Sequence, residues 1–191
     1  MGIRAAGSVW ANVQNKHSAP GLCTSSGASL LKLYRATGDG LYMDLLRSIA
    51  HFPPQVVSYP ERPMYTVGGD AMRPGEMCER VNLSDWEGAE GVGDSIFGAS
   101  AWPQAALMLT WLEVPGVYAD LEKGRIWVQD HVRARLEGNE LVVENPTPFP
   151  VAVKVLCETA EEKRALLGLY WQDRFTRLDV PAGGQRRISL R

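Results

Sequence analysis

Apolar residues change their spacing near Val117. Before that point they recur at three- and four-residue intervals, in segments punctuated by glycine-rich stretches, and after it short runs alternate apolar with polar positions to the C-terminus. A period near 3.6 buries one stripe of a helix, whereas a period of two buries one face of a strand. The pattern predicts an α+β protein with residues 1–118 as a helical region carrying long polar loops and residues 119–191 as a small antiparallel β-sandwich.

Within the helical region, Ser26 is placed to cap a helix whose apolar positions are Leu30, Leu31, Leu33 and Tyr34, and Gly38 stops it. Asp39 caps a second helix, in which Leu41, Tyr42, Leu45, Leu46, Ile49 and Phe52 hold helical spacing until Pro53-Pro54 ends it. The link Thr37-Gly38-Asp39-Gly40 is short enough to make the two helices antiparallel neighbours. A third helix is predicted over 99–113, with Trp102, Ala105, Ala106, Leu109 and Leu112 on one face, Met108 and Trp111 widening it, and Pro115-Gly116 closing the element.

Five β-type runs follow, over 125–135, 140–144, 151–158, 175–180 and 187–190, separated by turn residues, with a helical turn or two allowed over 161–167. Val153 and Val155 share one face of their strand, Leu141 and Val143 share another, and both pairs are expected in the core. Lys154 is expected on the solvated face.

The chain has 191 residues, 45% of them apolar, enough to bury a core. Its net charge of -2, with no long run of lysine and arginine, argues against nucleic acid as a partner, because neutralising phosphates needs a basic surface. The acidity belongs to the helical part: residues 1–120 carry 8 basic and 12 acidic side chains, and 121–191 carry 12 basic and 10 acidic. Cys23, Cys78 and Cys157 are too few and too far apart for a disulfide framework. No apolar run approaches the roughly 20 residues that span a bilayer, so no membrane partner is expected. Metal-ligand spacing, a phosphate-binding glycine loop and a Ser-His-Asp signature are all missing, so neither metal nor cofactor is expected.

Candidate chemistry lies in two polar segments. One, over 8–25, contains Trp10, Asn12, Gln14, Asn15 and His17, and the histidine could move a proton near neutral pH or hold a substrate. The other, over 78–88, reads Cys-Glu-Arg-Val-Asn-Leu-Ser-Asp-Trp-Glu-Gly. Asp85 and Glu87 are the candidate acid/base pair, and Trp86, Glu79, Asn82 and His17 are the candidate substrate-binding residues. Glycoside hydrolysis needs two carboxyl groups across a sugar ring, one protonated to assist the leaving group and one ionised to attack or to activate water. An indole beside them can stack on a sugar face. Glu90 and Asp94 extend the acidic cluster.

The stretch from Leu30 to Tyr42, an inner helix, a Thr-Gly-Asp turn and an outer helix beginning at tyrosine, resembles a hairpin of the six-hairpin (α/α) toroid glycosidase-like proteins. In many of those proteins a β-sandwich follows the toroid, the order predicted here. The resemblance implies a carbohydrate-active protein corresponding to the C-terminal portion of a glycoside hydrolase-like enzyme, with carbohydrate as its partner. A full toroid of twelve helices at about 11 residues each, plus loops, needs several hundred residues, so the chain is expected to be part of a longer one, or to cover the faces of its few helices by homo-oligomerisation. The alternative is a non-catalytic carbohydrate-binding or structural module. Sugar, linkage and compartment do not follow from the sequence.

Overall fold

A computed structural model describes residues 7, 10–12, 17–18, 27–66, 69–77, 81–82, 101–165 and 174–190. They form helices and sheets together, an α+β arrangement, and they divide between two units. One comprises residues 1–28 and 48–110, the other residues 29–47 and 111–191.

Helices α1 (Gly27–Thr37) and α2 (Leu41–His51) make the expected hairpin. The Gly38 amide donates to the Tyr34 carbonyl at 2.7 Å with Gly38 at φ 71°, a left-handed conformation that glycine adopts without a Cβ penalty. Asp39 then starts α2, its carboxylate accepting the Leu41 amide at 3.0 Å. The buried stripes are Leu30, Leu31, Tyr34 and Arg35 on α1 and Met43, Leu46, Ile49 and Ala50 on α2. Leu33, Leu41 and Leu45, expected among the apolar contacts, are exposed instead. In a helix with this many leucines the period leaves the stripe's exact rotation open by about one residue.

The unit of residues 29–47 and 111–191, which holds most of this hairpin, contains two sheets. The first has the order β5-β4-β8-β9, formed by β4 (Val117–Asp120), β5 (Arg125–Val128), β8 (Val151–Glu158) and β9 (Thr176–Val180). The second has the order β10-β7-β6, from β6 (Arg133–Glu137), β7 (Glu140–Glu144) and β10 (Gln185–Ser189). Val117, Ala119, Val153, Val155 and Val180 of the first sheet meet Leu141 and Val143 of the second in one core, so both expected pairs are buried.

Three features depart from the sequence expectation. The run over 125–135 is two strands, because Gln129 to Val132 leave the ladder between β5 and β6. Strand β4 is an additional central strand, buried at all four positions, and a strand covered on both faces has no alternation to betray it. It also pairs parallel to β8, with Val117 opposite Val155 and Asp120 opposite Glu158, so the sandwich is not purely antiparallel.

Lys154 provides a fourth departure. Its amine donates to the Trp111 carbonyl and lies 5.1 Å from the Phe175 ring centroid, so its face of β8 is partly covered.

In the unit that includes residues 48–77, the chain after α2 passes through a 3-10 turn, Pro53–Val56, and a series of single β-bridges. Phe52, Val56, Met64, Met72 and Met77 form a small core there. Buried Ser58 holds its two sides together, donating its hydroxyl to the Met72 carbonyl and accepting the Met64 amide. Helix α3 (Ala101–Glu113) follows, with Pro103 in its first turn, where a missing amide hydrogen breaks no helical bond. Its expected core face is not the observed one. Leu109 and Leu112 are 59% and 65% exposed and Met108 is 67% exposed, while Thr110 is buried. A helix whose only charged residue is Glu113 gives no polar side from which to infer the buried one.

Candidate functional site

The two polar segments singled out in the sequence are joined by a three-stranded sheet. Strand β1 (Trp10–Asn12) pairs antiparallel with β2 (His17–Ser18), and β2 pairs antiparallel with β3 (Val81–Asn82). His17 stands opposite Asn12 on one side and opposite Asn82 on the other. The next row is Trp10, Ser18 and Val81, and the register shifts between Trp10 and Asn12. Opposed residues of antiparallel strands lie roughly 4.5 to 5.5 Å apart at Cα. Two substrate-binding candidates distant in sequence, His17 and Asn82, are therefore backbone neighbours.

Asp85 and Glu87 follow Asn82 by three and five residues. Glu79, Asp85, Trp86 and Glu87 lie outside the described residues, as do Glu90, Asp94, Cys23, Cys78 and Ser26. Asn12 belongs to the same row but was not distinguishable from its neighbours in a segment full of polar residues. Strands of two or three residues carry too little period to be seen in a sequence.

A second polar cluster, which the sequence reading did not identify, lies in the sandwich unit. Tyr118 and Asp120 of β4 and Glu158 of β8 lie on the face opposite the sandwich core, where Tyr34 and Arg35 of α1 meet them. Arg35 grips Glu158 with two bonds, Nε to Oε2 at 2.9 Å and Nη2 to Oε1 at 3.0 Å. The Tyr118 hydroxyl donates to Glu158 at 3.0 Å, and Arg174 adds a bond at 2.7 Å. Asp120 accepts from the Tyr34 hydroxyl, the Lys123 amide and the Lys163 amine. Lys163 comes from α4 (Ala160–Ala165) and also bridges to Glu122. Trp127 closes the cluster, its ring centroid 4.7 Å from that of Tyr34.

Burial raises the pKa of Asp120, but the Lys163 and Tyr34 hydrogen bonds outweigh it and hold the carboxyl below its ordinary value. Burial, and then the neighbouring carboxylates, push both tyrosine hydroxyls far above theirs. For Lys163, burial lowers the pKa while Asp120 and Glu122 raise it, and the carboxylates win. The side chains of Asp120 and Glu158 are fully buried, and every one of these charges faces an opposite one. The cluster fastens α1 to the sheet. It has the bonding of a structural ion-pair network, with its carboxylate oxygens committed to protein donors. A sequence signal for it existed in the two apolar runs that end in a carboxylate, Val117-Tyr118-Ala119-Asp120 and Val155-Leu156-Cys157-Glu158.

Among the described residues, no group of His, Cys, Asp and Glu is arranged to hold a metal ion, and no helix is long and apolar enough to cross a membrane. Cys157 is partly buried, and burial first, with Glu162 second, pushes its thiol up to about 11. Compared with protein-family models, curated proteins and solved structures, the chain matches none.

Proposed function

We propose that this chain is part of a carbohydrate-active protein of the glycoside hydrolase type, with Asp85 and Glu87 as its acid/base pair and Trp86 as a stacking surface for the sugar. The observation that carries the reading is the strand pairing of His17 with Asn82, which gathers both polar segments at one place, with Asp85 and Glu87 a few residues further along. The helical hairpin followed by a two-sheet sandwich agrees with the architecture that the Thr-Gly-Asp turn resembles. In this reading one carboxyl protonates the glycosidic oxygen while the other attacks the anomeric carbon or activates water.

The test is turnover of a panel of aryl-glycosides and polysaccharides by the longest natural chain that carries these residues. Asp85→Asn and Glu87→Gln are each expected to abolish hydrolysis while sugar binding survives. Trp86→Ala is expected to weaken binding itself. Loss of binding in Trp86→Ala with no hydrolysis by the unaltered protein would favour the second reading, a non-catalytic carbohydrate-binding or structural module. That reading draws its support from Asp120 and Glu158, buried carboxylates that are used in fastening a helix to a sheet.

A further inference from the structure

We propose that Asn12, His17 and Asn82 form a hydroxyl-binding row that selects and orients the glycan, distinct from the carboxylates that would act on it. The inference rests on the carbohydrate reading above and adds to it a recognition element and a third residue, Asn12.

The register supplies the juxtaposition. Asn12 is opposite His17 and His17 is opposite Asn82, so three polar residues occupy consecutive strands at one level of the sheet. With strands about 4.8 Å apart, the row extends roughly 10 Å, comparable to the length of a disaccharide. The chemistry suits hydroxyl groups. An asparagine amide offers both a donor and an acceptor, a neutral imidazole offers one of each, and every sugar hydroxyl is both donor and acceptor.

The row is also built from pieces that would otherwise be independent. Strand β3 comes from the segment that leads into Asp85 and Glu87, whereas β1 and β2 come from residues 10–18. Their pairing brings residues from the two polar segments of the sequence onto one sheet.

The experiment begins with the full chain on a glycan microarray, followed by calorimetric titration of the best-bound oligosaccharide into the unaltered protein and into Asn12→Ala, His17→Ala and Asn82→Ala. Each substitution removes hydrogen bonds and is expected to weaken binding about three- to tenfold. Phe149→Ala, an exposed position in the other unit, is expected to bind as the unaltered protein does. NMR of the unaltered protein gives a second readout that needs no variant. The side-chain amide signals of Asn12 and Asn82 and the imidazole signals of His17 are expected to move as the same oligosaccharide is added. A protein that binds a glycan while these signals stay in place, and while all folded variants keep full affinity, would overturn the row and leave the carbohydrate reading standing. A protein that binds no glycan on the array would overturn both.

Discussion

Asp120 and Glu158 end neighbouring parallel strands with their side chains out of water, so each depends on its partners remaining charged and in place. Removing one member of a buried pair strands the other and typically costs about 3–5 kcal/mol. Glu158→Gln is expected to lose on the order of that amount in urea denaturation, because Arg35, also buried, loses its ionic partner. Asp120 makes the stability acid-sensitive in a definite direction. Its carboxyl titrates below the ordinary 3.8 when folded, so its contribution is fully present above that value and is lost as pH falls through the folded one. The melting temperature should accordingly decline at pH values under 3.8, and Asp120→Asn should be less stable at neutral pH with a shallower acid decline. The core residues were the legible part of the sequence. Val153, Val155, Leu141 and Val143 announce their faces by alternation, and all four are buried. The ion-pair network was not legible, since a carboxylate at the end of an apolar run says that a partner is needed without saying which residue supplies it.

At the scale of elements, the hairpin and the sheets are held by different means, and substitutions should separate them. Asp39→Ala removes the cap of α2 and should cost about 1 kcal/mol. Gly38→Ala must accept a left-handed backbone, worth roughly 1–2 kcal/mol, and its new methyl group would displace the Lys123 amine that bonds the Gly38 carbonyl. On β8, Val153→Ala and Val155→Ala should each lose on the order of 1–3 kcal/mol in chemical denaturation. Lys154→Ala should lose about 1 kcal/mol, more than a solvated lysine would, because the side chain reaches the Trp111 carbonyl and covers Phe175. A loss below about 0.5 kcal/mol at Lys154 would mean that this face behaves as open surface. The hairpin was readable from its turn, where Thr37, Gly38 and Asp39 each have one local task. Strand β4 was not, because burial on both faces removes the alternation that marks a strand. Strands β1 to β3 were too short to show any pattern, yet their pairing is what joins the two candidate segments.

For the whole molecule, the outer side of α3 and the carbohydrate reading lead to separate tests. Met108, Leu109 and Leu112 lie within two turns of one helix and are exposed together. Apolar groups grouped in this way favour association, and we expect concentration-dependent self-association in sedimentation experiments, reduced by Met108→Glu or Leu112→Glu. A monomer at high micromolar concentration would count against it. The proposed function turns on whether Asp85 and Glu87 act on a bound sugar, and the most direct measurement is the rate of aryl-glycoside or polysaccharide hydrolysis by the longest natural chain carrying these residues, compared with its Asp85→Asn and Glu87→Gln forms. The account predicts turnover in the unaltered protein and its loss in both variants with glycan binding retained. Turnover that persists in both variants, or a protein that neither binds nor cleaves any glycan of the panel, would contradict it.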